Sequence, residues 1–123
     1  MADAPCPCGS GQTLADCCGP IVDGGRQAGT AEQLMRSRFT AFVLEDEGHL
    51  LRSWHPDTRP PEVKFRQRWT TLEVRATTGG GFLDQEGTVE FVARHEDGAL
   101  REVSRFERSD GRWVYVGPIR FDA

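Results

Sequence analysis

Val89-Glu90-Phe91-Val92-Ala93-Arg94-His95-Glu96-Asp97-Gly98-Ala99-Leu100-Arg101-Glu102-Val103-Ser104-Arg105-Phe106-Glu107-Arg108-Ser109-Asp110-Gly111-Arg112-Trp113-Val114-Tyr115 is the stretch that decides the fold. Apolar residues recur at every second position and two Asp-Gly pairs interrupt them, which is the pattern of strands joined by tight hairpins. With Asp97-Gly98 at the first turn, Ala93 is expected opposite Glu102, Phe91 opposite Ser104 and Val89 opposite Phe106. With Asp110-Gly111 at the second, Arg108 faces Trp113 and Phe106 faces Tyr115. Both registers put Val89, Phe91, Ala93, Leu100, Phe106, Trp113 and Tyr115 on one face of a three-stranded meander, together with the polar Glu102 and Ser104.

The period of two begins earlier, near Trp69, where Leu72, Val74 and Ala76 alternate with Thr71, Glu73 and Arg75 up to Gly79-Gly80-Gly81. Upstream the period is helical. Thr30 has Gln33 at the capping-box spacing, and Ala31, Leu34, Met35, Phe39 and Phe42 follow on one face of a helix expected to end near Gly48. A second short helix is expected from His49 to Trp54, stopped by Pro56. Helices first and an antiparallel sheet after them give an α+β domain, with the helices packed on one face of a curved sheet.

At 123 residues the chain suits one core plus a short appendage. It has no apolar run near the ~20 residues of a membrane span and no secretory pattern at its start, so the cytoplasm is the expected compartment. A formal net charge of -4 argues against generic nucleic-acid binding.

All four cysteines, Cys6, Cys8, Cys17 and Cys18, fall in the first eighteen residues, in the spacing C-x-C-x8-C-C around a Gly9-Ser10-Gly11 turn. Thiolates at about 2.3 Å satisfy zinc's tetrahedral demand, and four of them close the coordination sphere, so the site reads as structural and not hydrolytic. A redox-sensing thiol cluster, a disulfide-capable tail and an iron–sulfur site are the competing readings. Both vicinal cysteines can ligate only if the chain turns at Cys17 and Cys18.

The run CPCGSGQTLADCCGP resembles the SEC-C motif, the zinc knuckle at the C-terminal end of SecA and in other proteins. The resemblance implies one structural zinc on Cys6, Cys8, Cys17 and Cys18, and partner contacts through the knuckle. The basic and aromatic residues frequent between the cysteine pairs are replaced here by Gln12, Thr13, Leu14 and Ala15. Leu34-Met35-Arg36-Ser37-Arg38-Phe39-Thr40-Ala41-Phe42, Leu50-Leu51-Arg52-Ser53-Trp54-His55-Pro56, Ser104-Arg105-Phe106 and Asp110-Gly111-Arg112-Trp113 are similar to the YchJ-like family of small uncharacterised bacterial proteins. That likeness implies an NTF2-like cone behind the knuckle. The expected division is residues 1–20 for the knuckle, 21–29 for a Gly-rich linker and 30–123 for the cone.

Arg38 lies four residues after Leu34 and four before Phe42, so it shares their inward face, and Glu102 sits on the apolar side of the sheet. An Arg38–Glu102 ion pair is the economical expectation. With Trp54, His55, Ser104 and Tyr115, these residues are the candidates for a polar pocket with apolar walls. The bland readings are a structural salt bridge, a turn histidine before Pro56 and core aromatics. His49 and His95 are expected to be exposed, and Arg108 to stack on Trp113.

No nucleophile elbow, P-loop, dinucleotide fingerprint or HExxH motif occurs, and no catalytic residue is assigned. The leading functional expectation is a non-enzymatic zinc-binding module whose knuckle contacts a protein or ribosomal partner, with a homodimer through the sheet as a further partner expectation. The alternative is a small-molecule binder, or a lyase- or isomerase-type enzyme, in which His55 or Glu102 is general base and Arg38 or Tyr115 stabilises an oxyanion.

Overall fold

A computed structural model describes residues 4–122, with side chains described as far as Ile119. Three helices, α1 (Gly19–Val22), α2 (Ala31–Leu44) and α3 (Glu47–Arg52), precede four strands, β1 (Trp69–Gly79), β2 (Glu86–His95), β3 (Gly98–Ser109) and β4 (Arg112–Asp122). The strands form one antiparallel sheet in the order β1-β2-β3-β4. Register shifts near Thr71, Val74, Val103 and Arg105 bend it into a curved surface, since a bulge adds twist and turns the strand. Among the described residues no helix is long and apolar enough to cross a membrane.

The second hairpin has the expected register: Arg108 pairs with Trp113 and Phe106 with Tyr115. Asp110 (φ 52°) and Gly111 (φ 79°) occupy its tip, the two left-handed conformations that a type I′ turn requires. The first hairpin differs. Its central residues are Glu96 and Asp97, so Ala93 pairs with Leu100, Phe91 with Glu102 and Val89 with Ser104. His95 Nδ1 accepts the Asp97 N–H at 3.2 Å, and the Glu96 N–H donates to Arg68 O, which pins the turn one residue earlier than the Asp-Gly pair suggests. The slip moves each partner by two residues, so every side chain keeps its face. Val89, Phe91, Ala93, Glu102, Ser104, Phe106 and Trp113 are all buried on the concave side.

Thr30 caps α2 as expected, its Oγ1 accepting the Gln33 N–H at 3.1 Å, while Gln33 Oε1 reaches back to the Gly29 N–H. The helix stops at Leu44, short of Gly48. Glu45 turns left-handed (φ 56°) because Asp46 already serves as N-cap of the next helix, accepting the His49 N–H. α2 is buried on several sides: Leu34, Met35, Phe39, Arg38, Ser37 and Thr40 are all nearly inaccessible. One side lies on the sheet, another on α3, and a third carries the cysteine module, so this helix positions both candidate sites. After α3, residues 53–55 pair with Tyr115 of β4 through Tyr115 N–H to Ser53 O and His55 N–H to Tyr115 O, both 2.8 Å.

Candidate metal centre and cone cavity

Residues 4–18 form a miniature hairpin. The Cys6 N–H donates to Gln12 O and the Leu14 N–H to Ala4 O, and between them Gly9 (φ 79°) and Gly11 (φ 88°) take conformations that a side chain would oppose. The turn needed at the vicinal pair is made by Leu14 O, which accepts the N–H groups of both Cys17 and Gly19. Cys18 is helical (φ -78°, ψ -24°) and leads into α1, whose Pro20 is suited to a first helical turn.

The four sulfurs of Cys6, Cys8, Cys17 and Cys18 lie within 4.8 Å of one another. The Cys8–Cys17 and Cys17–Cys18 sulfur separations are 3.7 and 3.9 Å. Tetrahedral coordination with metal–sulfur bonds of about 2.3 Å requires neighbouring sulfurs about 3.8 Å apart. The donor set therefore fits a metal ion of zinc's size and preference, and none of the four thiols is joined in a disulfide. Cys6, Cys8 and Cys18 are buried and Cys17 is partly exposed.

The surroundings favour a negative charge on one sulfur, that of Cys8. The Cys18 thiol, with help from Ser10, holds the Cys8 thiol down at about 4, whereas donating to Cys8 and burial push Cys18 up. Burial also raises Cys17. One thiolate is thus stabilised by its neighbours' protons, and a metal ion replaces those protons as it binds. Ser10 Oγ is 3.2 Å from Cys17 Sγ. The pattern extends into α2: Thr40 Oγ1 lies 3.7 Å from Cys6 Sγ, and Arg36 Nη1 donates to Cys8 O at 2.8 Å while its Nε bonds Glu32. Arg36 and Thr40 were not apparent as site residues, because nothing in a cysteine spacing indicates which helix will cover it.

On the concave side of the sheet a cavity of about 140 Å³ brings together Arg38, Trp54, Glu102, Ser104 and Tyr115. The expected Arg38–Glu102 ion pair is replaced by a relay through Tyr115. The guanidinium sits between two rings, its Cζ 4.7 Å from the centre of Trp54 and 4.4 Å from that of Tyr115, and Nη1 donates to Leu50 O and Ser53 Oγ at 2.9 and 2.6 Å. Glu102 Oε2 instead accepts from the hydroxyls of Ser104 and Tyr115. Burial lowers Arg38 to about 10, still protonated at neutral pH, and raises Glu102 and Tyr115 from their ordinary values.

His55 does not belong to the cavity. Trp54 and His55 are adjacent in the extended segment that pairs with β4, so their side chains point to opposite sides, and His55 Nε2 meets Glu107 Oε1 at 2.9 Å. His49, expected outside, is buried. The Ser37 hydroxyl donates to Leu34 O, leaving its oxygen to accept from His49 Nε2 at 2.9 Å. Burial, then Arg38 and Arg52, lower His49 to about 4, so it is neutral. Arg108 stacks on Trp113 as expected, at 4.5 Å, and also holds Asp84 O and Phe82 O.

A four-cysteine knuckle seated on a helix-backed curved sheet defines a class of protein, a small α+β cone with an N-terminal appendage whose four cysteines are close enough to hold a metal ion. Comparison with known proteins gives the family. Residues 4–20 match the SEC-C motif and residues 30–118 match the family described as YchJ, middle NTF2-like domain, and the chain belongs to that family. A UPF0225 protein of Streptomyces avermitilis is 54% identical over 92% of this chain and 82% of its own. One from Streptomyces coelicolor is 49% identical over 94% of this chain and 95% of its own. The solution structure of a SEC-C motif containing protein from Rhodopseudomonas palustris superposes with a TM-score of 0.80 at 32% identity, covering 96% of this chain and 97% of that one. A crystal structure of another, from Psychrobacter arcticus, gives 0.79 at 27% identity, covering 99% of this chain and 85% of that one.

Proposed function

We propose that this chain is a non-enzymatic zinc protein, in which Cys6, Cys8, Cys17 and Cys18 hold one structural zinc ion and the knuckle contacts a protein or ribosomal partner. The observation that carries the reading is the convergence of four sulfurs within 4.8 Å of one another, two of their separations, 3.7 and 3.9 Å, matching tetrahedral spacing. Four thiolates leave no open position for a metal-bound water, so the ion's task is to hold the knuckle in shape. Contact with a partner is supported by a groove of about 420 Å³ beside the knuckle, lined among others by Ser10, Cys17, Arg26, Glu32 and Arg36. Charges of both signs at its rim suit a protein surface.

Two experiments test this. Elemental analysis of protein purified without added metal is expected to give one zinc per chain, with thiols released on chelation; iron or no metal would refute the assignment. A photo-crosslinking residue at Gln12 is expected to capture a discrete partner in cells and to lose it when Cys8→Ser is added, whereas the same residue at Thr78 on the sheet captures nothing. Equal capture at both positions would place the contact surface elsewhere.

The second reading, a small-molecule binder or a lyase- or isomerase-type enzyme using the cone, is favoured by the cavity around Arg38. Of the two bases expected for its catalytic form, His55 faces Glu107 outside that cavity, whereas Glu102 lines it and is engaged by the Ser104 and Tyr115 hydroxyls.

A further inference from the structure

Charge and shape in the cone cavity specify more than a void. Arg38 is 3% exposed, and its hydrogen-bond partners are a backbone carbonyl and a hydroxyl, both neutral. Its two faces are covered by Trp54 and Tyr115. The nearest acid, Glu102, is separated from it by Tyr115 and is already engaged by two hydroxyls. No carboxylate oxygen touches the guanidinium, since Glu102 spends its Oε2 on the Ser104 and Tyr115 hydroxyls and Arg38 spends Nη1 on neutral oxygens. A buried cation in this position gains most from an anion that reaches its remaining N–H groups, because a desolvated, charge-assisted pair is stronger than any neutral contact.

The rest of the lining is apolar and aromatic, including Phe42, Trp69, Phe91 and Leu100. Phe42, Trp54, Trp69 and Leu100 are only partly buried, so this side of the cavity meets solvent. A volume of about 140 Å³ matches the size of cavity that accepts a single benzene ring, at about 150 Å³. Ring-flanked walls and one planar fork of donors favour a planar ligand.

The geometry points to a binding site for a small monocarboxylate carrying one ring or a short apolar body, its carboxylate on Arg38 and its body among the aromatic side chains of the cone. A cation is repelled by Arg38, and a dicarboxylate would bury a second charge against apolar walls. The inference rests on the second reading above, ligand binding in the cone, and adds the ligand's class.

Three probes of nearly one shape separate the ideas: benzoate, neutral benzamide and cationic benzamidine. Each is titrated into the full-length protein while the tryptophan indole N–H signals are followed by NMR. Trp54 and Trp69 line the cavity, whereas Trp113 donates to Gly29 O outside it and serves as an internal control. Benzoate is expected to move the Trp54 and Trp69 signals saturably with Trp113 unchanged, and to bind at least about tenfold tighter than benzamide, the factor that one charge-assisted contact supplies. Benzamidine is expected not to bind. Ala93→Leu, which fills the cavity while adding only apolar volume, is expected to abolish the benzoate shifts with Trp113 still at its folded position. Arg38→Gln is expected to erase the preference for benzoate over benzamide. Equal binding of benzoate and benzamide, or a preference for benzamidine, would overturn the carboxylate assignment and keep ligand binding. Silence of all three probes would overturn both.

Discussion

Removing the metal should weaken the whole domain, not only the knuckle. Residues 4–18 are too few to hold a core of their own, since chains below about 40 residues usually need metals or disulfides, and in the proposed zinc form metal–thiolate bonds would supply their folding energy. Yet Cys6, Cys8 and Cys18 are 5%, 0% and 1% exposed and belong to the same apolar cluster as Leu34, Met35, Phe39 and Val22. Arg36 to Cys8 O and Arg52 to Val22 O add polar ties across the same seam. Losing the knuckle therefore uncovers one side of α2. If this re-exposes the equivalent of two apolar side chains, at roughly 1.5–3 kcal/mol each, the main domain loses about 3–6 kcal/mol. That is a large share of the 5–15 kcal/mol typical of a domain, and for a chain of this size it lowers the melting temperature by about 10–20 °C. The assay is thermal unfolding followed by far-ultraviolet circular dichroism and tryptophan fluorescence, with and without a strong chelator. Cys8→Ser should reproduce the chelator's effect and be insensitive to further chelation. A melting temperature unchanged within a degree or two, while amide protection is lost over residues 5–18, would refute the reasoning and make the knuckle an independent appendage.

His49 is lowered to about 4 by burial and by Arg38 and Arg52, with Asp46 opposing. A depressed folded value means its stabilising effect is complete above about pH 6.5 and is lost as pH falls through about 4; the full loss is about 3 kcal/mol. Urea unfolding at pH 7 and pH 4.5 should show most of that loss in the native chain and much less in His49→Gln; equal losses would exclude His49 as the cause. Arg36→Ala and Thr40→Val should each weaken zinc about 10-fold in competition with a chromophoric chelator, as loss of outer contacts to a metal centre commonly does, and Arg36→Lys should recover part of it. Unchanged affinity in both would mean that α2 covers the site without tuning it. Gly111→Ala places a side chain at φ 79° and should cost about 1 kcal/mol in urea unfolding with zinc content unchanged.

Chemistry that a single residue type carries was legible in the sequence. Four cysteines around a Gly-Ser-Gly turn name their own ligand class, and the alternation from Val89 to Tyr115 states which side chains share a face. Asp110-Gly111 has the register expected of it, both residues being left-handed as an Asp-Gly turn allows, whereas the same dipeptide at Asp97-Gly98 did not set the first hairpin. Partner choice was decided by the tertiary structure. The first hairpin kept its faces and lost its pairing, since a period of two is blind to a slip of two, and the His95 ring settled the turn. Starting α3 at Glu47 instead of His49 rotates His49 from the surface onto Ser37. Arg38 and Glu102 both face inward as their periods require, but Tyr115 comes between them, a residue from a strand that closes the cone more than seventy positions later. Periodicity determines the direction in which a side chain points; what it meets there depends on segments distant in the chain, and no local pattern encodes that distance.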